Sequence, residues 1–438
     1  MAREPVTEFD VLVLGGGSAG CVLAARLSEK ADRSVCLVEA GPDYGPFGAD
    51  RWPPEILDAR NIPSTHDWES ATEHRGTARA KIIGGCSAHN ACLVLRGIDA
   101  DYDEWGDGWS AGELRPYLDR AEAELQTQPA VSDDAPPWHA ATIVAARSLG
   151  FEAGPFRANA IDGVRWNAAF AYFDVARPRS NLTVRARSPV DRLLLGGGRV
   201  RGAVLADGQE VRANVFVLAS GTYGSPPVLL RSGIGPGLRI DLPVGENLID
   251  HAGVNVEWEP AADIAPPDGQ ASYGMVVPEP DLQLVPWTYR AEAGAYIPSL
   301  LAFLMKPQSV GRLTLQSADP LAPPLIAHAH LSDERDIAPV VRAVDLAREL
   351  AATEPVASLV ARETLPGKMD VDRYVRENAR GYYHPVGTCA IGTVVDERLR
   401  VLGVENLYVA DASVMPTIPR ANTHLTTLAI AERAAEWI

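Results

Sequence analysis

The sequence has no apolar run long enough to cross a membrane. A spanning helix needs about 18 to 20 apolar residues, and the first apolar stretch is interrupted by Gly15, Gly16 and Gly17. Residues 1–10 carry charges where a secretory signal would need an apolar segment. We therefore expect a cytoplasmic protein that neither enters nor binds a membrane.

Cysteine is scarce, and its spacing forms no Cys-x-x-Cys pair. An odd number of scattered cysteines argues against a disulfide framework and against a thiolate zinc site. Such a pattern is typical of a reducing compartment. The five cysteines are Cys21, Cys36, Cys86, Cys92 and Cys389.

Basic residues are in the minority, since 40 Lys and Arg face 57 Asp and Glu for a formal net charge of -17. An acidic surface repels the phosphate backbone of nucleic acids and anionic lipids, so neither is an expected partner. With 438 residues, of which 46% are hydrophobic, the chain is long enough for about two to three domains. The composition leaves the oligomeric state open.

The beginning of the chain has the pattern of a βαβ unit. Residues 9–14 predict a buried strand, residues 18–29 a helix, and residues 35–38 a second buried strand. The turn before the helix carries a G-x-G-x-x-G fingerprint, residues 15–20. Glu39 follows the second strand, about 20 residues beyond the fingerprint, where a carboxylate can accept the hydroxyls of an adenosine ribose. The pattern predicts a dinucleotide site.

Each glycine of the fingerprint has its own role. Gly15 permits the tight turn, Gly17 lets the backbone approach a pyrophosphate, and Gly20 lets the helix pack closely on the strand. The helix begins at Ser18 and Ala19, and its free N–H groups and partial positive charge favour phosphates.

The same turn also allows a different interpretation. Residues 16–20 spell G-x-S-x-G, the nucleophile elbow of serine hydrolases, with Ser18 as the nucleophile. An elbow normally follows several earlier strands, whereas Ser18 follows the first strand of this chain. We therefore rank the hydrolase far behind the dinucleotide site.

The remaining pattern predicts further elements and a divided domain. Residues 42–80 indicate irregular surface or a cofactor lid, residues 257–300 indicate no particular element, and Ser332 is the predicted N-cap of a helix. Dinucleotide-type elements at the start, middle and end of the chain favour one discontinuous cofactor domain with a second domain inserted in pieces. Helices are predicted over 111–125, 138–150, 332–352 and 423–436, and strands over 182–195, 200–206 and 215–219.

Five later segments, in order along the chain, resemble the signatures of the glucose–methanol–choline (GMC) oxidoreductase family. The first, Gly-Gly-Cys-Ser-Ala-His-Asn-Ala at residues 84–91, resembles the flavin-contacting loop, with the choline-oxidising members most similar. The similarity spans nearly the whole chain, and five motifs in the right order exclude chance agreement. The other four segments are residues 221–235, 244–251, 384–389 and 411–432.

The resemblance implies an α/β fold, α+β overall. A Rossmann-type FAD-binding domain would carry an inserted substrate-binding domain built on an antiparallel sheet and helices. The FAD-binding domain would comprise residues 1–98, 181–252 and 394–438, and the substrate-binding domain residues 99–180 and 253–393.

The resemblance also implies which residues contact FAD. The pyrophosphate would lie at residues 15–20, the ribose at Glu39 and the adenine at the backbone of Val190. Asp411 and Ala412 would lie beside the phosphates, and Thr423 near the isoalloxazine ring. The flavin loop would contact the ring through Gly84, Gly85, Ser87, His89, Asn90 and Ala91.

The implied activity is oxidation of a primary or secondary alcohol to the carbonyl compound. His384 and His424 would form a histidine pair that takes the hydroxyl proton, because a neutral imidazole suits proton transfer near neutral pH. The hydride would go to flavin N5, and oxygen or another acceptor would reoxidise the flavin. The alternative is a redox-silent lyase of the hydroxynitrile lyase type, which also keeps FAD and a histidine base.

For His89 the resemblance implies covalent attachment of FAD and not only a contact, because the corresponding histidine of choline-oxidising relatives is joined to the flavin. The match to those relatives is incomplete, since Ala91 stands where they have serine. We also expect no glutamate of residues 257–300 to hold a trimethylammonium group. The chain is short for the family, with material missing around residues 255–300, which favours an open pocket and a bulkier alcohol than choline.

His328 and His330 are a candidate metal pair, since alternate residues of a strand point the same way. The sequence shows no third ligand for them, and we expect no metal.

Overall fold

Two seven-stranded β-sheets, each covered by helices, form the frame of the protein. The structure is a computed structural model that describes residues 8–68, 78–129, 135–265, 274–291 and 294–438. The predicted lid region falls partly outside these ranges, because residues 69–77 are not among them. The mixture of parallel and antiparallel sheets with helices confirms the α/β fold class.

The helices of the described residues are α1 Ser18–Leu27, α2 Pro54–Leu57, α3 Asp99–Asp103, α4 Ala111–Glu124, α5 Pro137–Ser148, α6 Asp174–Ala176, α7 Gly221–Arg231, α8 Ile337–Ala351, α9 Val371–Asn378 and α10 Thr423–Trp437. The strands are β1 Glu8–Leu14, β2 Val35–Val38, β3 Leu93–Val94, β4 Gln128–Pro129, β5 Glu152–Pro155, β6 Arg157–Ala158, β7 Ala160–Ile161, β8 Val164–Arg165, β9 Leu182–Arg185, β10 Val190–Gly196, β11 Arg199–Leu205, β12 Glu210–Leu218, β13 Ala252–Pro260, β14 Gly274–Glu279, β15 Leu282–Arg290, β16 Tyr296–Leu304, β17 Arg312–Thr314, β18 Leu325–Ala327, β19 Val360–Leu365, β20 Arg380–Gly381 and β21 Leu407–Val409.

The first sheet is built around the predicted βαβ unit. Its parallel strands lie in the order β9, β2, β1, β12 and β21, and the antiparallel hairpin β10–β11 extends from the beginning of β12. All four residues of β2 are buried, as expected for an apolar run covered on both faces. The carboxyl ends of the parallel strands meet at one edge, where the glycine turn lies and where such sheets bind ligands.

The prediction of one strand over residues 182–195 is wrong, because the segment divides into β9 and β10. β9 pairs in parallel with β2, whereas β10 pairs antiparallel with β11. Pro189 lies between the two strands and has no backbone N–H to donate to a neighbouring strand of a sheet. Ser188 N donates to Glu39 O at 2.8 Å, so the break brings residues 188–190 beside the end of β2.

Helices α1, α4 and α10 pack against one another on the first sheet. Buried Glu432 of α10 accepts hydrogen bonds from Arg26 of α1 at 2.9 and 2.8 Å. α4 and the buried side chains of Val386 and Cys389 belong to this same core, although the division drawn from the sequence assigned them to the substrate-binding domain. The domain boundaries stay a prediction, and this packing favours assigning both segments to the FAD-binding domain.

The second sheet is antiparallel, with strands in the order β19, β13, β16, β15, β14 and β5 and with β20 beside β13. One face packs on α5 and α8, where Val254 and Val256 of β13 meet Leu300 of β16 in a second core. Side chains of a strand alternate between faces, so Asn255 and Glu257 point to the opposite side. That side forms a wall of the cavity described below.

The unassigned segment 257–300 contains β14, β15 and parts of β13 and β16. Both faces of β15 and β16 are largely covered, so the sequence shows apolar runs instead of the alternation that predicts a half-exposed strand.

The helix predicted over residues 332–352 begins later than expected. Residues 334–336 form a 3-10 turn, and α8 starts at Ile337. The cap is Asp333, whose side chain accepts from Arg335 N at 3.0 Å, so the predicted N-cap at Ser332 is wrong. Buried Asp336 instead accepts from the backbone N–H groups of Gln308 and Ser309, which ties the start of α8 to the loop after β16.

No helix within the described ranges combines the length and the apolar character needed to span a membrane. The five cysteines are all free, and Cys86 alone is exposed.

Candidate active site

A cavity of about 1000 Å³ is lined by residues of both sheets. Two predicted site residues, Gly20 and Gly84, do not line it; they shape the backbone beside it. The predicted residues that line the cavity are Gly15, Gly17, Ser18, Ala19, Glu39, Gly85, Ser87, His89, Asn90, Ala91, Val190, His384, Asp411, Ala412, Thr423 and His424.

The glycine turn is packed too tightly for side chains. A Cβ on Gly15, whose φ is +111°, would lie 2.6 Å from Ala219 O, and a Cβ on Gly20 would lie 1.8 Å from Gly15 O. Glu39 closes the turn, because its carboxylate accepts from Gly16 N and from Gly41 N, each at 2.7 Å. Burial raises the pKa of Glu39 to about 7, against these hydrogen bonds, which favour the ionised form.

The flavin loop folds against this turn. Gly84 N donates to Gly16 O at 2.7 Å, and residues 85–88 form a 3-10 turn. Ser87 Oγ donates to Gly84 O at 2.6 Å and accepts from Ala168 N at 2.9 Å. These bonds hold the loop rigid beside the start of α1.

His89 and Asn90 follow the 3-10 turn. His89 Nε2 lies 3.4 Å from Asp67 Oδ1, and burial lowers the pKa of His89, so the ring is neutral near pH 7. Asn90 O accepts from Arg165 Nε at 2.8 Å. Arg165 is fully buried and also donates to the carbonyls of Ile56 and Asn61, so it joins the flavin loop to the segment around α2.

Asp411 organises the part of the cavity wall at the start of α7. Its carboxylate accepts from Gly221 N at 2.8 Å and Ser225 Oγ at 2.6 Å, both at the start of α7, and from Ser413 N at 2.8 Å. Burial raises the pKa of Asp411. Val190, the first residue of β10, lies where the cavity reaches the end of β2.

This arrangement fits FAD. Two helices, α1 and α10, begin at the cavity without a side-chain cap on their first N–H groups. Uncapped helix N-termini are natural sites for phosphate, through free N–H groups and the helix dipole. Gly17 leaves the backbone bare on this side, and Glu39 presents a carboxylate at the end of β2, so the donor set matches a pyrophosphate flanked by a ribose.

His384 lies at the centre of a hydrogen-bonded chain. Its Nδ1 is 3.0 Å from His251 Nδ1, and its Nε2 is 3.0 Å from Asn422 Nδ2. His251 Nε2 is 2.9 Å from Pro419 O. A carbonyl oxygen only accepts, so His251 carries its proton on Nε2, and its Nδ1 is the acceptor.

The protonation state of His384 follows from this assignment. Its Nδ1 donates to His251, which leaves Nε2 as an unprotonated acceptor for the amide of Asn422. Burial, reinforced by His251 and Arg79, holds the pKa of His384 well below its usual range, and burial lowers the pKa of His251 to about 3. Both rings are neutral near pH 7, and the lone pair on His384 Nε2 accepts from the Asn422 amide, whose place a substrate hydroxyl would take.

His424 lines the same cavity as His384, but the side chain that contacts His384 is Asn422. Neither ring nitrogen of His424 has a hydrogen-bond partner among the described residues. Burial lowers the pKa of His424 to about 4. The predicted pair thus shares a cavity, and the immediate partners of His384 are His251 and Asn422.

The cavity wall opposite the glycine turn comes from the second sheet. Glu257 of β13 and Trp287 of β15 are both paired with Ser299 of β16, so they lie in one row across three strands. Glu257 Oε1 accepts from Asn255 Nδ2 at 3.2 Å, and Tyr289 lines the same wall. Glu257 therefore lines the cavity, and the expectation that no glutamate of residues 257–300 holds a trimethylammonium group stays a prediction.

The structure also brings a third side chain to the histidine pair after β18. Asp250, His328 and His330 each offer one ligand atom, and these atoms lie within 4.8 Å of one another. Asp250 is therefore a candidate third ligand that the sequence did not indicate, and the expectation of no metal stays a prediction.

Sequence reasoning overlooked His251, Asn422 and Glu257 at this site. The sequence could have indicated both His251 and Asn422, because they lie within the segments 244–251 and 411–432 that the family resemblance had already marked. Glu257 carried no such signal, since only the register of the second sheet places it in the cavity.

The comparison with known proteins defines the class. Two family models for GMC oxidoreductases match the chain, over residues 9–253 and 307–431. The protein belongs to the GMC oxidoreductase family and is an FAD-dependent enzyme that oxidises the CH–OH groups of alcohols. The resemblance inferred from the motifs is confirmed, and the serine hydrolase alternative is wrong.

Individual relatives cover the chain almost completely. It is 32% identical to 5-(hydroxymethyl)furfural oxidase of Methylovorus sp. (strain MP688), over 99% of both chains. It is 31% identical to choline oxidase of Arthrobacter globiformis, over 98% of this chain and 94% of that protein. The crystal structure of pyridoxine 4-oxidase from Mesorbium loti superposes with a TM-score of 0.89 and 30% identity, over 98% of this chain and 99% of that one.

The first of these alignments runs over 532 positions, whereas this chain has 438 residues. The relative therefore carries internal segments that this chain lacks.

Proposed function

We propose that the protein oxidises a primary alcohol carried on an aromatic or heteroaromatic ring to the aldehyde. The observation that carries this proposal is His384, a neutral imidazole with an unprotonated Nε2 that faces the cavity where FAD fits. Bound FAD supplies the acceptor for the hydride, at N5 of its ring, and passes the electrons to oxygen or another acceptor.

Residues of the chain accept the hydroxyl proton and stabilise the charge that results. His384 Nε2 accepts the hydroxyl proton of the substrate as the adjacent carbon loses its hydride, so that alcohol and acceptor together give aldehyde and a protonated imidazole. The resulting positive charge is shared along the bond to His251 and is stabilised by the carbonyl of Pro419. Asn422 and His424 supply polar groups for the oxygen of the alcohol, and both line the cavity.

The second-sheet wall supports a ring-bearing substrate. Trp287 and Tyr289 offer aromatic surface, and Val285 and Leu301 offer apolar surface on the same wall. Aromatic rings pack favourably on such surfaces. Glu257 adds a buried carboxylate that can accept a hydrogen bond from a donor group on the ring. The names of the furfural-alcohol and pyridoxine oxidases point to the same kind of alcohol, whereas choline has no ring.

The test is anaerobic reduction of the purified yellow enzyme with a panel of alcohols, namely benzyl alcohol, 5-(hydroxymethyl)furfural, pyridoxine and choline. We expect a ring-bearing alcohol to bleach the flavin absorbance, followed by oxygen consumption if oxygen is the acceptor. A lyase would turn over without bleaching, and bleaching by choline alone would refute the ring-bearing substrate.

His384→Gln separates the chemistry from binding. We expect the bleaching rate to fall by roughly 10² to 10⁴-fold, the usual contribution of a general base, with the flavin still bound. His66→Gln is the control, because His66 bonds to Tyr44 and Thr65 and does not line the cavity. Equal rates in His384→Gln and wild type would contradict the assignment of the base.

We also propose that His89 is joined covalently to FAD. Support comes from its neutral, buried ring at the cavity. The bond would join an imidazole nitrogen of His89 to the methyl carbon of the flavin with loss of one proton from each, and oxygen would accept the two electrons to give hydrogen peroxide. After acid precipitation we expect the yellow colour in the pellet for wild type and in the supernatant for His89→Asn. Colour in the wild-type supernatant would refute the bond.

A further inference from the structure

Three potential ligands converge next to the active site but do not line its cavity. Asp250 precedes His251 in the chain, and His328 and His330 follow β18. The imidazole rings of His328 and His330 are stacked, with centroids 4.5 Å apart and an interplanar angle of 25°. A two-histidine, one-carboxylate set whose ligand atoms lie within 4.8 Å of one another can converge on a single metal ion after a small inward movement of the side chains.

The backbone around the histidines is held in an unfavourable conformation. Ala329 and Leu331 have φ values of +53° and +51°, in the left-handed region that costs a residue with a Cβ about 1 kcal/mol or more. These two residues flank His330, so the strain is confined to the segment that turns both imidazoles towards Asp250. Strain of this kind persists where other interactions compensate for it.

Gly381 opens the space between the ligands. A Cβ at this position would lie 2.6 Å from Asp250 Oδ2 and 2.9 Å from His330 Nε2. The two ligand atoms therefore approach one common point beside a residue that has no side chain. Any other residue at 381 would occupy that space.

The supporting contacts resemble those of a metal centre. Asp250 is buried; its Oδ1 accepts from His384 N at 2.9 Å, while its Oδ2 has no hydrogen-bond partner among the described residues. His328 Nε2 is 2.9 Å from Tyr223 Oη, which leaves Nδ1 as its ligand atom. Metal-binding histidines usually donate their other N–H to such an oxygen, and this fixes the ring.

We propose that Asp250, His328 and His330 bind one zinc-type divalent ion, with water in the remaining coordination position. Nitrogen and carboxylate ligands in this number suit Zn²⁺. The ion joins the segment before His251 to the segment after β18. It also fixes the carboxylate that receives the backbone N–H of His384, so its role is to hold the base in place.

The test is metal analysis of the FAD-containing enzyme after incubation with Zn²⁺ and gel filtration. We expect one zinc per chain in wild type and in the control His66→Gln, and a tenfold or greater loss in His328→Leu and His330→Leu. Removal of zinc by dipicolinic acid should lower Tm by several degrees. Absence of zinc from the wild type, or retention by both variants, would overturn the proposal.

Cobalt gives a readout that needs no variant. Co²⁺ bound to nitrogen and oxygen ligands absorbs in the red, beyond the bands of oxidised flavin. We expect this absorbance to saturate at one equivalent and to disappear on addition of Zn²⁺. An enzyme that shows neither change binds no ion here, and the three side chains then form only a hydrogen-bonded cluster.

Discussion

At the scale of single residues, the chemistry of the site depends on which nitrogen of His384 carries a proton. The tautomer of His384 is set by Pro419, whose carbonyl oxygen accepts from His251 Nε2 at 2.9 Å and so leaves His251 Nδ1 to accept from His384. His251 is a positioning residue, since it acts through His384 and does not line the cavity.

Substitution of His251 tests this assignment. In His251→Phe the Nδ1–H of His384 loses its acceptor, and the ring is free to present a protonated Nε2 to the substrate. We expect flavin reduction to slow by roughly 10² to 10⁴-fold, the range of a lost general base. His251→Gln should recover much of the rate, because an amide can accept from His384 and donate to Pro419. Equally slow variants would indicate that His251 is needed only for packing.

At the scale of elements, the βαβ unit depends on contact between the start of α1 and the end of β1. In Gly20→Ala the new Cβ would lie 1.8 Å from Gly15 O, so the helix must move away from the strand. We expect the purified variant to lose most of its FAD, measured as the ratio of absorbance at the flavin band to that of the protein.

Gly112→Ala is the matched control, because Gly112 lies in helix α4 with no atom within 4 Å of the added Cβ. We expect full FAD content and equal or higher stability there, since alanine favours a helix by up to about 1 kcal/mol over glycine. Normal FAD content in Gly20→Ala would contradict the close approach of α1 and β1.

Helix α5 contains a pH-sensitive residue. His139 is fully buried, neither ring nitrogen has a partner among the described residues, and burial lowers its pKa to about 3. In the unfolded chain the imidazole takes up a proton below about 6.5, whereas in the folded protein it remains neutral down to about pH 3. The free energy of unfolding therefore decreases as the pH falls between these values, by about 1.4 kcal/mol per pH unit.

His139→Leu should remove this dependence. From pH 7 to pH 5 we expect the wild type to lose about 2 kcal/mol more stability than the variant, measured by urea unfolding. Parallel pH profiles for the two proteins would show that His139 is protonated in the folded state.

At the scale of the whole molecule, one buried carboxylate joins the two sheets and the active site. Asp101 of α3, in the first core, accepts from Arg420 N at 2.8 Å and pairs with the guanidinium of Arg420. It also lies 3.6 Å from Nζ of Lys306, which follows β16 of the second sheet. Arg420 immediately follows Pro419, so this cluster holds the carbonyl that orients His251.

Asp101→Asn should loosen this connection. Breaking a buried ion pair by removing one partner costs up to about 3–5 kcal/mol, and we expect the lower part of that range because Arg420 keeps Asp281 as a partner. Calorimetry should show a Tm lower by several degrees, together with slower flavin reduction. Asp99→Asn, on the same helix and exposed, is the control, and an unchanged Asp101→Asn protein would show that the cluster contributes nothing.

The sequence predicted those features that depend on local pattern. The glycine turn, Glu39 and the buried strands β1 and β2 follow from short-range spacing, because a βαβ turn needs the same residues wherever it occurs. The family motifs then indicated His384, His89 and Asp411, all of which line the cavity. The strand over 182–195 failed because one proline redirects the chain between two different partners.

Tertiary structure decided what contacts what. Glu257, Ser299 and Trp287 form one row only because three antiparallel strands adopt a single register. His251, His384 and Asn422 are far apart in sequence, and their hydrogen bonds set the tautomer of the base. The sequence by itself therefore determined the family, the cofactor fold and the chemical groups available. The partners of those groups depend on long-range packing, which no local pattern of residues encodes.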